Sequence, residues 1–167
     1  MMVGLVPPTA VPKSRYDAST YKWCNGAYNT LTKYNYNSEY GVVDNKYVLD
    51  PEDDAATATL GGSWRMPTYE DMKELVESCD WTWTELNGKN GYKVSSKSSP
   101  ENWIFLPVAG VMYNDKLDVA GIRGYYRSST LRLPSLAWVL YIYNDDHKMD
   151  GSSFGRFYGY SIRPVIK

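Results

Sequence analysis

Few residues in this chain have the type and spacing for covalent or acid–base chemistry. The one histidine, His147, lies in Asn144-Asp145-Asp146-His147-Lys148, a polar run that reads as a turn. A lone turn histidine is expected at the surface, without the partner that general acid–base work requires. Cys24 and Cys79 form no C-x-x-C pair. They read either as two buried thiols or as one long-range disulfide. One histidine and two distant cysteines do not supply the usual zinc ligand sets. The sequence contains no Gly-rich phosphate loop, no G-x-S-x-G elbow and no H-E-x-x-H helix.

The carboxylates are less easily dismissed. Asp50, Glu52, Asp53 and Asp54 form an acidic cluster of the kind that binds calcium. The same residues suit a helix N-terminus, where the unpaired N–H groups and the dipole favour negative charge, and this reading needs no metal. Asp145, Asp146 and Asp150 are a second calcium candidate, without the spacing of an EF-hand. No glutamate follows Glu101, so a hydrolytic carboxylate pair in the last third would depend on aspartate alone. No cofactor is expected from these residues.

The elements that hold these residues are marked by caps and periodicity. Residues 1–20 are rich in Pro, Ser and Thr and read as an extended arm, and residues 21–48, with scattered Tyr and Asn, as irregular structure with short strands. A first helix is expected from an Asp50 cap and Pro51 to Gly61-Gly62. A second begins at Thr68 after Pro67, with Met72, Leu75, Val76 and Cys79 on one face. From Trp81 the pattern alternates, with Asn87-Gly88 and Asn90-Gly91 as turn signals and Tyr92-Lys93-Val94 returning as a hairpin. Trp103-Ile104-Phe105-Leu106 reads as a central strand, and the last strand as roughly Tyr158 to Val165. Leu136 to Tyr143 is a strand with Trp138, Leu140 and Ile142 on the core face and Val139, Tyr141 and Tyr143 opposite.

At 167 residues the chain fits one domain, with a net charge of -1 that excludes a basic nucleic-acid footprint. Its apolar runs are too short for a membrane-spanning helix. Met1-Met2-Val3-Gly4-Leu5-Val6-Pro7-Pro8 lacks the basic region and apolar length of a signal peptide. Tyrosine (16) and tryptophan (6) far outnumber phenylalanine (3), and they concentrate with arginine and small residues in the last third. Tyr125, Tyr126, Arg127, Arg132, Tyr141, Tyr143, Phe154, Arg156, Phe157, Tyr158 and Tyr160 interleave there with Gly151, Ser152, Ser153 and Gly155. Tyr and Arg with Ser and Gly are the residues of binding surfaces, although alternation alone assigns about half of such aromatics to a strand core.

Gly62-Ser63-Trp64-Arg65-Met66-Pro67-Thr68 followed by an amphipathic helix resembles the G-x-W-R-[ML]-P-T segment of the Fibrobacter succinogenes major paralogous domain family. Further matches follow in order: Trp81-Thr82-Trp83, Asn90 to Val94, Phe105 to Gly110, Gly124 to Thr130 and Tyr158 to Val165. Upstream, Tyr21 to Gly26 and Asp53 to Ala56 also fit, so the likeness covers about residues 15–167. It implies an α+β, C-type lectin-like fold: two helices on a twisted, mainly antiparallel sheet with long loops, here over 21–167. It also implies a secreted or surface-displayed binding module, like relatives that include variable proteins of diversity-generating retroelements. In those, mutated Asn codons near the C-terminus cannot yield Lys, Glu, Gln, Met or Trp. From Arg127 to Tyr160 these types occur here only as Trp138, Lys148 and Met149. The family usually has Trp at Arg127, Asn-rich text at 131–133 and 150–154, and a fuller segment in place of Met1 to Pro12. A related R-[LM]-P-T segment occurs in formylglycine-generating-enzyme-like domains, whose late catalytic cysteines this chain lacks.

The expectation is therefore a non-enzymatic binding module at a cell surface, virion surface or elsewhere outside the cell. Its partner would be a protein receptor or a glycan, with no nucleic acid and no membrane span. The expected contact residues are Tyr125, Arg127, Leu131, Arg132, Leu133, Tyr141, Tyr143, His147, Asp150, Ser152, Phe154, Phe157 and Tyr160.

Overall fold

Thr68 caps a helix because its side chain accepts from the Asp71 amide while the Asp71 carboxylate accepts from the Thr68 amide, a reciprocal capping box. The computed structural model, which describes residues 15–166, shows this helix as α2 (Tyr69–Ser78). A shorter helix, α1 (Ala55–Leu60), precedes it. Its cap is Asp54, not Asp50: the buried Asp54 carboxylate accepts from Ala56 and Thr57 at 2.9 Å and from Met66 at 2.8 Å. Asp50 is drawn instead to Lys33 and Lys46. Gly61 ends α1 at φ 67, its amide donating to the Thr57 carbonyl oxygen.

Among the described residues the chain is α+β, with two α-helices and antiparallel strand pairs. A short strand β1 (Trp64–Arg65) pairs with the terminal β10 (Val165–Ile166). The strands β2 (Cys79–Leu86), β3 (Lys89–Ser96) and β4 (Trp103–Pro107) form one sheet in that order. The β2–β3 turn is Asn87-Gly88, at φ 51 and 72, the two left-handed positions of a type I′ hairpin. Asn90-Gly91 lies inside β3, where a side chain on Gly91 would meet the Leu106 carbonyl oxygen at 2.3 Å. β4 ends its sheet instead of running through the middle, and Trp103 is accordingly exposed.

A hairpin of β5 (Val111–Tyr113) and β6 (Lys116–Asp118) leads into the second three-stranded sheet. That sheet is β7 (Arg123–Leu133), β8 (Leu136–Tyr143) and β9 (Asp146–Asp150), paired in sequence order. The core lies between α2 and the two larger sheets. Met72 of α2 belongs to one buried cluster with Tyr92, Val94, Leu106, Val108, Tyr126, Leu140 and Ile142, and Leu75, Val76 and Cys79 pack against it. Each fully buried aliphatic side chain there stabilises the fold by about 1.5–3 kcal/mol. The expected face of α2 is the observed one.

The expected last strand does not form as such. The chain from 158 to 164 makes single bridges, Gly159 to Met112 and Ser161 to Tyr126, before β10. Residues 21–48 are irregular, as read, and side chains replace the missing ladder. The Asp44 carboxylate accepts from the Tyr34 and Asn35 amides at 2.8 and 2.9 Å, and Asn35 is fully buried. Of the expected N-terminal arm, residues 1–14 lie outside the described residues, and Tyr16 pairs with Asn114 of the β5–β6 turn.

Candidate functional site

The β7–β8–β9 sheet has two faces because neighbouring side chains alternate. One carries Tyr126, Leu140, Ile142 and Met149 into the core. The other carries Tyr125, Arg127, Val139, Tyr141 and Tyr143, since Tyr125 lies opposite Tyr141 and Arg127 opposite Val139. The segment from Gly151 to Tyr160 returns across this second face. Its Phe154 ring lies 5.6 Å from Tyr125 and 6.1 Å from Tyr141, and the Tyr141 ring lies 5.3 Å from Tyr143. Tyr160 and Tyr158 extend the cluster, and Tyr158 meets Tyr113 of β5 edge-on at 4.9 Å. These spacings are those at which aromatic rings attract one another.

Five of the expected contact residues thus come together: Tyr125, Tyr141, Tyr143, Phe154 and Tyr160. Tyr125 is buried beneath the others and acts as the platform of the cluster, while Tyr141, Tyr143, Phe154 and Tyr160 are half-buried. Tyr113 and Asp118 of the β5–β6 hairpin were missed. Nothing local marks them, because the Met112–Gly159 bridge that brings them here joins distant parts of the chain.

The remaining expected positions are elsewhere. His147 is on the core side, stacked on Trp81 at 4.3 Å, and its burial depresses its pKa against the opposing pull of Asp146. Leu131 is buried, 4% exposed, because it pairs with Ala137 beyond a break in the β7–β8 register. Arg132 and Leu133 are exposed at the β7–β8 turn, where Arg132 lies 5.2 Å over the Trp138 ring. Trp138 itself is only half-buried, against Tyr69, whereas Val139 on the other face is wholly covered. The Asp150 carboxylate accepts from the Ser152 amide and hydroxyl, at 2.8 and 2.7 Å, so the pair builds a turn. Phe157 packs edge-on against Tyr158, with its ring over Gly155.

Arg127 and Arg156 also leave the surface list. Arg127 donates to the Arg156 carbonyl oxygen at 2.6 Å and to the Tyr21 phenol at 3.4 Å. Arg156 is fully buried and donates to Tyr21 at 3.2 Å. Burial works to raise the Tyr21 pKa, but the two guanidiniums together hold it below its ordinary value.

The acidic cluster has its own cations. Lys33 Nζ lies 2.7 Å from Asp50, 2.6 Å from Asp53 and 3.8 Å from Glu52. Lys22 and Lys46 add bonds to Asp53 and Asp50 at 3.0 and 2.6 Å. Burial pushes the Asp53 carboxyl up, yet bonds from Lys33, Tyr34 and Lys22 bring it down to about 2. A calcium ion at Asp50, Glu52 and Asp53, the one such group among the described residues, would have to displace the Lys33 ammonium. Both cysteines are free and half-buried, with thiols pushed up by burial, so no disulfide joins them.

A hollow of about 180 Å³ opens beside the cluster, lined by Val111, Tyr113, Asp118, Tyr125, Ser153, Phe154, Tyr158 and Tyr160. A larger one of about 360 Å³ lies between α2 and β3, and its lining from Asp71 to Ser98 contains no aromatic residue. No helix among the described residues is long and apolar enough to cross a membrane. No protein-family model, no curated protein and no solved structure matches this chain.

Proposed function

We propose that the chain is a non-enzymatic binding module that contacts its ligand through the aromatic face of β7–β8–β9 and the segment above it. The observation that carries this reading is the continuous, half-exposed ring cluster of Tyr141, Tyr143, Phe154 and Tyr160 on a buried Tyr125. Large rigid side chains on a packed support bind with little loss of conformational freedom. The nucleophile and base candidates support a role without catalysis. Both thiols are pushed away from the reactive thiolate, and His147 is stacked on Trp81 behind the sheet, away from the ring cluster. The architecture is compatible with a C-type lectin-like fold, which we adopt as the finer description.

In this reading the ligand is displayed on a cell, as a protein receptor or a glycan, and the module acts outside the cell, on a cell surface or on a virion. The contact face is also where diversification would act. Sequences of the same locus from sibling strains should then differ at Tyr141, Tyr143 and Phe154 and keep the buried Tyr125, Leu131 and Arg156. Differences scattered evenly over both sheets would argue against it.

The direct test uses an array of purified cell-surface proteins and glycans. A ligand captured by the unaltered chain should be lost from Tyr141→Ser and Tyr143→Ser and kept by Trp103→Ser, which alters an exposed ring on the other sheet. Equal capture by all of them sinks the proposal.

A further inference from the structure

The hollow at the edge of the aromatic face has a more specific chemistry than the face itself. Its volume, about 180 Å³, is below the roughly 300–1,000 Å³ of sites that enclose drug-sized ligands, so it admits a single ring. Its walls are Tyr113, Tyr125, Tyr158 and Tyr160, which offer apolar faces with polar tips, and Phe154, whose ring is wholly apolar. The other polar residues in its lining are Asp118 and Ser153, both exposed.

The Asp118 position is built into the backbone. Val119 has φ 49, a left-handed conformation that a β-branched residue rarely adopts. Its amide donates back to the Asp118 carboxylate at 2.9 Å, and its carbonyl accepts from Ile122 and Arg123 at 3.1 and 3.0 Å. On the other side, Gly110 passes so close that an added Cβ would lie 2.3 Å from the Asp118 carbonyl oxygen. Strain of this kind persists only where the surroundings over-determine it.

The balance of charge then selects among ligands. Asp118 is the one charged side chain in the lining, and the exposed Arg123 outside it is held above its ordinary pKa first by the Tyr125 phenol and most weakly by Asp118. The lining carboxylate repels an anion, and the Arg123 guanidinium, coupled to Tyr125 and Asp118, works against a cation. A purely apolar ring would strip water from Asp118 without replacing its hydrogen bonds. A single carboxylate also falls short of the oxygen ligands that calcium requires. What fits is an uncharged ring with apolar C–H faces and hydroxyls that both donate and accept.

We propose that this hollow is a calcium-independent site for one uncharged pyranose ring at the end of a cell-surface glycan. The proposal rests on the reading of the aromatic face as the ligand surface and gives that ligand a chemical class. The ring lies against Tyr158 and Phe154 while its hydroxyls donate to Asp118 and exchange bonds with Ser153.

The experiment titrates the full chain, by NMR of the tyrosine rings, with methyl glycosides of uncharged hexoses, with methyl glucuronide, with glucosamine and with phenol as a planar control. Saturable binding of at least one uncharged glycoside is expected, with a dissociation constant on the order of millimolar. It should be unchanged by EDTA and weakened roughly tenfold or more by Asp118→Ala, about 1.4 kcal/mol. Because Asp118 is exposed, the unfolding midpoint of that variant should stay in place, and Trp103→Ser, on the other sheet, should leave glycoside affinity unchanged. Failure of every uncharged glycoside, tighter binding of the charged sugars or phenol, loss with EDTA, or indifference to Asp118→Ala overturns the proposal. Should glycosides fail while array capture is still lost from Tyr143→Ser, the face survives and the sugar site falls. Glycoside binding at the hollow with array capture indifferent to Tyr143→Ser would remove the wider face and keep the site.

Discussion

Arg156 Nη1 donates to the Tyr34 carbonyl oxygen at 2.7 Å, a bond between residues 122 positions apart. The same nitrogen reaches the Pro134 carbonyl at 2.8 Å, and Nη2 reaches that of Lys33 at 2.8 Å. The guanidinium also lies 5.2 Å from the Tyr21 ring centre. Among the described residues no carboxylate pairs with it. Its charge is instead met by carbonyl dipoles and aromatic faces, and it ties the irregular first third of the chain to the segment above the aromatic face.

Arg156→Met should therefore be severe. It leaves three carbonyls and the Tyr21 phenol without this donor, and at about 1–3 kcal/mol for a buried group left unpaired the loss should exceed ~3 kcal/mol. Arg132→Met, at an exposed position over Trp138, should cost about 1 kcal/mol or less. Urea unfolding of the two variants measures the contrast, and similar midpoints would refute it.

The aromatic face should separate into support and contact. Tyr125, only 7% exposed beneath the other rings, should cost about 3–5 kcal/mol as Tyr125→Ala. Tyr143→Ser should cost under about 1.5 kcal/mol, since its ring is half-exposed and leaves no closed cavity. Thermal unfolding of both variants checks the order.

His147 makes stability depend on pH. Its folded pKa is lowered, by burial first, so the unfolded chain binds the proton more readily. Stability from this group is full above the ordinary value of 6.5 and declines as pH falls from there toward the folded pKa. Asp53 and Asp71, both near 2 in the fold against an ordinary 3.8, add a second loss only below about pH 4. His147→Phe, which keeps a ring on Trp81, should abolish the first decline and leave the second. Denaturant melts at a series of pH values would show a persistent first decline if another group is responsible.

Val119 stores strain that a better-suited residue should release. Asparagine tolerates the left-handed region, so Val119→Asn should raise stability by up to about 1 kcal/mol, offset in part by the lost contacts of a half-buried valine. A lower unfolding midpoint would mean that the valine contacts outweigh the backbone strain.

Much of the scaffold was legible because its signals are local. Pro67-Thr68 starts α2 and Asn87-Gly88 turns the first hairpin through bonds and dihedral angles settled within a few residues. Met72, Leu75, Val76 and Cys79 share a face by helical period alone, and that face is the one the core takes. Choices between equivalent local candidates were not legible. Asp50 and Asp54 are both good caps, and Asp54 caps α1 because the Met66 amide reaches it while Lys33 and Lys46 hold Asp50.

The candidate site divides in the same way. Alternation along β8 determined that Leu140 and Ile142 oppose Tyr141 and Tyr143, since successive side chains must point to opposite faces. It also determined that the last third is rich in rings fit for contact. Only tertiary structure decided which of those rings meet and which residues are covered. Val139 is buried by chain returning over its face, and His147 is stacked behind the sheet on Trp81. Arg127 and Arg156 turn inward to Tyr21, and Tyr113 with Asp118 joins the face from a separate hairpin. A strand's own sequence specifies two faces, but what lies over each is set by segments tens to more than a hundred residues away.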